Sequence, residues 1–312
     1  MKRLLSITLT LILALGCLSC AALAEGLSVD GLTVTYVTSP LNVPSIVEKE
    51  GGVFEKTLGI PVEYAEINSG ADQTQALASG DVQLLYAVGG TSIILSAANG
   101  ADIKVLNMYS RAPKAFCMYS TDDSLTTPES LKGKTIAGPA GTNLHELLVA
   151  YLKTADMTID DVNYVSMGIP ESKAALDGGS VDVALLGGAA AYNASKQGYH
   201  LIADGEGLIQ AIIAVAITEA YYEAHPDVIE GIREAQQAVM AQIEADPDGA
   251  FAATAQYLDL DVEAVKEMYA CYDFSLDISQ ADVEGFQKTA DFMYESGMIE
   301  APYDVNGLFF GE

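Results

Sequence analysis

Two glycine pairs occupy the same place in a pattern that the sequence contains twice. Gly89-Gly90 follows the apolar run Val82–Val88, and Gly187-Gly188 follows the apolar run Val181–Leu186. Each copy has the order expected for a helix end, a glycine, an acidic residue, a short buried strand and a turn into another helix. Such turns expose backbone N–H groups at strand ends, where open α/β sheets bind ligands. The chemistry that this pattern predicts is hydrogen bonding to a small molecule.

A third glycine-containing turn, Gly138-Pro-Ala-Gly-Thr142, joins a predicted strand to a helix that begins at Asn143. The unpaired N–H groups and the positive dipole end of such a helix start attract polar or anionic groups. The same residues would also make an ordinary helix N-cap. Because the turn accompanies two glycine pairs, we favour its interpretation as part of a ligand site.

The predicted strands and helices that hold these turns alternate along the first two thirds of the chain. This alternation predicts mostly parallel strands covered by helices on both faces. From Tyr221 onwards the apolar spacing is helical, with a break at Asp246-Pro247, and we expect this part to pack back on the first unit. The predicted strands are Leu32–Val37, Pro61–Ile67, Asp102–Tyr109, Ala115–Ser120, Thr135–Ala137, Val162–Ser166 and Ile212–Ile217, and the predicted helices include Ile46–Phe54 and Asn143–Ala155.

Two α/β units and two chain crossings without a flexible linker predict two lobes joined by a hinge. The predicted division assigns 1–24 to a signal peptide, 25–112 to the first part of lobe I, 113–216 to lobe II, and 217–312 to a mostly helical return to lobe I.

The charge of the chain excludes some partners. The 312 residues carry a formal net charge of −28, and half of them are hydrophobic. A nucleic acid or an anionic membrane surface requires basic patches, so neither is an expected partner. The apolar content predicts a folded chain with a full core.

The first residues have the features of an export signal. Met1-Lys2-Arg3 is a basic start, Leu4–Leu15 is an apolar run too short for a membrane span, and Ala22-Leu-Ala24 fits a cleavage site. Lipidation at Cys17 or Cys20 is the alternative, because a small residue precedes each cysteine. We therefore expect a protein located in the periplasm or at the outer face of the cell membrane, with or without a lipid anchor.

The sequence offers little material for a metal site or for catalysis. After the signal it keeps only Cys117 and Cys271, which are either two buried small side chains or a disulfide. The three histidines, His145, His200 and His225, are widely separated. No nucleophile elbow, zinc-protease motif or phosphate-binding loop is present. We therefore expect no catalytic residue, no metal and no cofactor.

The segment Ser130–Leu148, which contains the third turn, resembles the opening of the second lobe in solute-binding proteins of ABC importers. Similar matches occur at Ala76–Val82 with Gly89-Gly90-Thr91, at His225-Pro-Asp227, and from Gly297 to Phe309. The resemblance is to the nitrate, taurine and aliphatic sulfonate binders and to the thiamine-precursor binders. It implies a two-lobed α/β fold of the periplasmic-binding-protein type II, with central mixed sheets and two hinge crossings, that closes on its ligand.

The resemblance also implies which loops hold the ligand. They follow the first two strands, the two glycine pairs and the strand before the third turn. The ligand-binding residues so predicted are Thr38, Ser39, Asn42, Ser69, Gly70, Gly89, Gly90, Thr91, Arg111, Gly141, Thr142, Asn143, His145, Gly187 and Gly188.

Some of these residues have a second interpretation. Arg111, at the first crossing, could bind an anionic ligand or pair with a surface acid. His145 could donate a hydrogen bond or pack. The family often places an aromatic or cationic residue against its ligand, and without tryptophan the aromatic role falls to tyrosines such as Tyr36, Tyr109 or Tyr192. Asp72, in the first turn of its helix, disfavours an anionic ligand there and leaves a neutral or zwitterionic one open.

The function that the sequence predicts is capture of a small molecule, such as a sulfonate, nitrate, taurine or a pyrimidine, and its delivery to an ABC permease in the membrane. The protein is expected to act as a monomer and not as an enzyme. The alternatives are an enzyme on the same fold, similar to dehydratases or pyrimidine synthases, and a ligand-sensing domain.

Overall fold

The computed structural model describes residues 26–37 and 41–310. The predicted signal peptide, Cys17, Cys20, Thr38 and Ser39 lie outside these residues. Among the helices of the described ranges, none combines the length and the apolarity that crossing a bilayer requires.

The first strands of the described residues are β1 (Leu32–Tyr36) and β2 (Val62–Glu66), which are parallel and are connected by two short helices. The helix predicted over Ile46–Phe54, with its close at Gly51-Gly52, is confirmed as α1 (Val43–Gly51), but its extension to Phe54 is wrong, because a second helix, α2 (Val53–Leu58), begins there. Gly52 separates them with a φ of 56°, a left-handed conformation that glycine adopts without strain.

The first glycine pair lies beside a three-stranded sheet. Helix α3 (Gly70–Ser79) leads into β3 (Leu85–Gly89), α4 (Gly90–Ala98) and β4 (Lys104–Arg111). The third strand, β10 (Ile212–Ile217), comes from far along the chain and lies between β3 and β4, antiparallel to both. The prediction of mostly parallel strands is therefore wrong for this sheet.

The middle of the chain forms a five-stranded mixed sheet. The strands are β5 (Phe116–Ser120), β6 (Thr135–Gly138), β7 (Asn163–Ser166), β8 (Val183–Gly187) and β9 (His200–Asp204), and the helices between them are α5 (Asn143–Lys153), α6 (Ile169–Asp177) and α7 (Gly188–Lys196). The order in the sheet is β7-β6-β8-β5-β9. Strand β6 is parallel to β7 and β8, and β5 is antiparallel to β8 and β9. Strand β9 was not predicted.

The remaining chain is helical, as predicted. The Asp246 side chain accepts the backbone N–H of Gly249 and Pro247 begins a new helix, which explains the break. Helix α9 (Pro226–Ala245) packs against α1 and α2, and helix α12 (Gln280–Glu295) packs against α4 and β10. The helices are α8 (Glu219–Ala224), α9 (Pro226–Ala245), α10 (Pro247–Leu258), α11 (Val262–Tyr269) and α12 (Gln280–Glu295).

We call β1–β4 with β10 the first strand group and β5–β9 the second strand group. A buried apolar cluster runs from one group to the other and includes Val34, Tyr86, Met118 and Ile136. A second cluster, which includes Ile93, Met108 and Phe286, fills the space between the three-stranded sheet, α4 and α12. These two apolar clusters hold the strands in place, and with them the loops at the strand ends. The two strand groups face each other at these loops.

Candidate functional site

A cavity of about 560 Å³ opens between the two strand groups. This volume is in the range of small-molecule sites. The first group contributes the loop after β2 and the start of α3, together with Gly89 and Ser92. The second group contributes the turn after β6, the loop after β7 and Phe116. Because residues of both groups form the wall, a bound molecule would contact both.

Five helices begin at the wall of this cavity: α1 after Asn42 and α4 after Gly89, neither of which has a side-chain cap, and α3, α5 and α6. Ser69 caps α3 by accepting the N–H of Asp72 at 3.4 Å. The cap residue of α6 is Gly168, which has no side chain to serve. At α5 the Thr142 hydroxyl donates to the carbonyl of Pro139 at 2.8 Å instead of capping the helix. The N–H groups in the first turn of α5 are therefore left without a side-chain cap.

The charged side chains of the wall are both acidic. Asp72 and Glu171 each stand in the first turn of a helix that begins there. Among the described residues that line the cavity there is no lysine, arginine or histidine. Helix starts favour acidic side chains, which compensate the positive end of the dipole. Two of the five helix starts are compensated in this way. That of α5 has the buried Glu146, which lies outside the wall, and those of α1 and α4 have no acidic side chain in the first turn.

Hydrogen bonds join the two strand groups beside the cavity. The Thr91 hydroxyl lies 2.8 Å from Oδ1 of Asn143 and 2.7 Å from Oε2 of Glu146, and it donates to one of them at a time. The Ser92 hydroxyl donates to the carbonyl of Gly141 at 2.9 Å. The Asn143 amide also donates to the carbonyl of Ile212 at 3.3 Å. These bonds connect the first turn of α4 to the first turn of α5 and hold the two groups together.

Glu146 is a buried acid in this junction, with 3% of its surface exposed. Burial raises the pKa of its carboxyl to about 7, although the hydroxyls of Thr91 and Thr289 act in the opposite direction. The Glu146 carboxyl is therefore close to half ionised at neutral pH, whereas an exposed glutamate is almost fully ionised there.

The structure brings six of the predicted site residues into the cavity wall. Three others lie just behind the wall: Thr91 and Gly141 take part in the bonds between the groups, and Gly90 packs beneath Phe286. The six in the wall are Asn42, Ser69, Gly70, Gly89, Thr142 and Asn143.

Arg111 is not in the wall. Its guanidinium donates to both carboxylate oxygens of Asp282, at 2.6 and 2.7 Å, and to the carbonyls of Ser275 and Asp277. This pairing holds the pKa of Asp282 below its usual range, although burial acts to raise it. Since these donors are already used within the protein, the structure gives Arg111 a role in holding the start of α12.

His145 also lies outside the wall. Its Nδ1 accepts the N–H of Gly141 at 3.2 Å, and its ring stacks on Tyr164 with the centroids 4.8 Å apart. Burial lowers the pKa of the imidazole. Of its two predicted roles, the structure shows packing, together with support of the turn that leads into α5.

Gly187 and Gly188 are away from the cavity. Gly188 lines a separate cleft of about 180 Å³, which also contains Cys117, Cys271 and Tyr192. Both cysteines are free. The other two candidate tyrosines, Tyr36 and Tyr109, are fully buried in the core, so none of the three contacts the cavity.

Sequence reasoning missed several residues of the wall. Gln73 is 3% exposed; its Nε2 donates to the carbonyl of Ile67 at 3.1 Å, and its Oε1 has no hydrogen-bond partner among the described residues. Glu171 follows Gly168 at the start of α6, and a Cβ on Gly168 would collide with its carboxylate. This strand-to-helix turn resembles the one before α5, so the signal was available. Among the described residues, no group of three or more His, Cys, Asp or Glu side chains could hold a metal ion.

Comparisons with known proteins agree with this architecture. Residues 39–250 match the sequence profile of the family described as NMT1/THI5 like. The taurine-binding periplasmic protein of Escherichia coli is 28% identical over 70% of this chain and 68% of its own. A putative aliphatic sulfonates-binding protein of the same organism is 23% identical over 91% of this chain and 93% of its own.

Among solved structures, the alkanesulfonate-binding protein SsuA from Xanthomonas axonopodis pv. citri, bound to MOPS, superposes with a TM-score of 0.83. It is 22% identical and covers 92% of this chain and 99% of its own. This likeness concerns the fold, and it confirms the predicted α/β class of the periplasmic-binding-protein type with mixed sheets.

Proposed function

The chain belongs to the NMT1/THI5-like family, and from this premise we propose that it is the solute-binding component of an ABC importer. It captures a small molecule in the cavity between the strand groups and delivers it to a membrane permease. The observation that carries this proposal is the cavity itself, whose wall combines residues of both groups with five helix starts. Such a wall binds by hydrogen bonding and dipole attraction.

The two strand groups correspond to the two proposed lobes. The sequence-based division gave 113–216 to lobe II. Because β10 pairs with β3 and β4, we propose instead that the second crossing of the chain precedes Ile212 and that this strand belongs with lobe I. We propose that the lobes separate and close about the two crossings. The bonds of Thr91 and Ser92 to the α5 side form on closure, and the ligand favours the closed state through its contacts to both lobes.

The relatives compared above are named as binding proteins, and we propose binding without a catalytic step for this chain also. The relative named for taurine is periplasmic, which supports export through the N-terminal segment. The same proposal includes cleavage after Ala24, with a lipid anchor at Cys17 or Cys20 as the alternative, and the monomeric state.

The proposal can be tested with the exported protein purified from cells grown in rich medium. Mass spectrometry of the small molecules released on denaturation should identify a retained ligand in about equimolar amount. Adding that ligand at a hundred times its Kd should stabilise the stripped protein by about 2.7 kcal/mol. Deletion of the gene should abolish uptake of the same molecule. Conversion of the molecule by the purified protein would contradict the binding role and favour an enzyme.

A further inference from the structure

We propose that capture of the ligand is coupled to protonation: Glu146 binds a proton when the two lobes close and releases it when they open. This inference rests on the proposed function and adds a regulation by pH to the same site. Because Glu146 lies outside the cavity wall, it acts as a positioning residue of the closed arrangement and not as a contact of the ligand.

The carboxyl of Glu146 lies where the two lobes meet. Glu146 stands in the first turn of α5, in the second strand group. The two hydroxyls that act on its carboxyl are those of Thr91 on α4 and Thr289 on α12, and both come from the first lobe. Only 3% of the residue is exposed. Separation of the lobes therefore removes both hydroxyls and admits water to the carboxyl.

The hydrogen bonds at this position favour the protonated carboxyl. The Thr91 hydroxyl has one hydrogen to donate, and it lies 2.7 Å from Oε2 of Glu146 and 2.8 Å from Oδ1 of Asn143. The Asn143 nitrogen donates to the carbonyl of Ile212, so the end of the amide that faces Thr91 is the oxygen. With Glu146 ionised, two acceptors compete for one hydrogen, and one buried acceptor goes without it. With Glu146 protonated, the carboxyl donates to Thr91 and Thr91 donates to Asn143, so that each group is paired.

No cation offsets the charge of the ionised carboxylate. Burial raises the pKa of Glu146, the two threonine hydroxyls lower it, and no charged group among the described residues contributes. Helix α4 and strand β10 contain no titratable side chain. In the second strand group, His145 is bound to Gly141, and β5 presents Cys117 and Tyr119 to a different apolar cluster. The charged side chains of α12 are the exposed Glu284, Lys288 and Asp291, together with Asp282, paired with Arg111, and Glu295, paired with Lys153 of α5.

The direction of the pH effect follows from the difference between the two arrangements. In the closed arrangement burial raises the pKa of Glu146 from 4.5 to about 7, and on opening water brings this pKa back toward its ordinary value. Between these two values, closing takes up a proton from solution. The closed arrangement therefore has its full stability at the acidic end and loses stability as pH rises through the closed-state pKa. Ligand affinity depends on closing, so it falls in the same window.

Proton uptake on binding is measured by calorimetric titration of the exported, ligand-stripped protein. Taurine is the first probe, because its charge does not change between pH 5 and 8.5. Where taurine does not bind, the molecule that the purified protein retains replaces it. Titrations at pH 6 in buffers of different ionisation enthalpy should give an uptake of about one proton for each molecule bound, and those at pH 8.5 should give almost none. The Kd should rise about tenfold or more between pH 5.5 and 8.

Three variants assign the proton to Glu146. Glu146→Gln carries a permanent donor in place of the protonated carboxyl, so it should take up no proton at pH 6, and its Kd should stay near the parent's acidic value at every pH. Asn143→Ala removes the competing acceptor, so the Thr91 hydroxyl serves the ionised carboxylate and the midpoint of the pH dependence should move to lower pH. Glu48→Gln is the matched control, because Glu48 is also buried with a raised pKa but accepts from Tyr64 within the first strand group. It should leave the proton uptake unchanged.

The outcomes separate this inference from the proposed function. Binding of the probe without proton uptake at pH 6, or with equal uptake in Glu146→Gln and the parent, overturns the inference and leaves the importer function standing. Melting of each variant without ligand checks that it is folded. Should Glu146→Gln fail to fold, an unmoved midpoint in Asn143→Ala overturns the inference instead. If the protein retains no molecule and gene deletion leaves uptake unchanged, the proposed function is wrong, and this inference is wrong with it.

Discussion

The two glycine pairs are alike in sequence and differ in what surrounds them. Gly89 lies in the wall of the cavity, and the next residues, Thr91 and Ser92, make hydrogen bonds to the second strand group. Gly188 lies in a separate cleft, and the residues after it are Ala189 and Ala190. The repeated pattern therefore specifies a strand, a turn and a helix. The side chains after the glycines decide whether the turn takes part in a site.

The two turns also differ in their support. Phe286 of α12 packs against the first turn, where a Cβ on Gly90 would come within 3.2 Å of its ring. Arg111 holds the start of α12 through Asp282. Beside the second turn, Lys196 of α7 pairs with Glu267, and both side chains are more than half exposed. This contrast gives matched pairs of variants.

The largest expected effect separates these two ion pairs. Arg111→Met leaves the nearly buried Asp282 carboxylate without its cation, and we expect a loss of about 3 kcal/mol in the free energy of unfolding. Lys196→Met breaks an exposed pair that solvent screens, and we expect a much smaller loss of stability, close to the error of the measurement. Urea denaturation measures both. The ligand affinity of folded Arg111→Met should stay close to that of the parent. A total loss of binding would indicate that Arg111 contacts the ligand after all.

The next effect tests the buried acid behind the first turn. The pKa of Glu146 is raised from 4.5 to about 7 in the folded state, mainly by burial. Between these values the folded protein holds a proton that the unfolded chain releases, so the free energy of unfolding falls as pH rises through this window. The fall attributable to Glu146 is about 3 kcal/mol, and it levels off above the folded pKa.

Glu146→Gln should remove that part of the pH dependence. Burial also raises the pKa of Glu48 to about 7, and this group contributes the same direction of change in both proteins. The difference between parent and variant therefore isolates Glu146. Denaturation curves from pH 4 to 8 provide the measurement, and equal slopes in the two proteins would contradict the assignment.

A smaller effect concerns the bonds that join the two strand groups. Asn143→Ala removes the amide that reaches Thr91 and the carbonyl of Ile212. The closed arrangement should lose about 1.5 kcal/mol, which corresponds to roughly a tenfold rise in Kd for the ligand. Asn193→Ala, on the exposed side of α7, is the matched control after the second turn. Similar Kd values for the two variants would mean that the bonds do not contribute to closure.

The strands, helices and their limits were largely predictable because their signals are local. The apolar run before Gly89, the turn before Asn143 and the break at Asp246-Pro247 all act within a few residues. The place of β10 between β3 and β4 was not predictable, since strand pairing over more than a hundred residues leaves no local signal.

The loops that form the candidate site were predictable from the sequence, but the partners of its individual side chains were not. The loops of Ser69, Gly89 and Thr142 were identified, because strand-to-helix turns are visible in the sequence. Arg111 pairs with Asp282, which lies 171 positions further along the chain. The sequence therefore gave no sign that the guanidinium donors are already used within the protein. The unpaired oxygen of Gln73 depends on which way a buried amide points, and only the carbonyl of Ile67 decides that.

The smallest expected effect comes from replacing one glycine of each pair, Gly89 or Gly188, by alanine. Gly188 has a φ of 55°, so Gly188→Ala should cost about 1 kcal/mol of stability through backbone strain and should leave ligand affinity unchanged. Gly89 has a φ of −66°, and a Cβ there would come no closer than 3.5 Å to Asn143, so Gly89→Ala should keep its stability. Its methyl group would lie in the cavity wall and weaken binding of the retained ligand by a few fold. Thermal melts and titrations of the two variants should therefore give opposite results, because one glycine serves its own turn and the other leaves room for a ligand. If Gly188→Ala weakened binding and Gly89→Ala did not, the second glycine pair would be the one that faces the ligand.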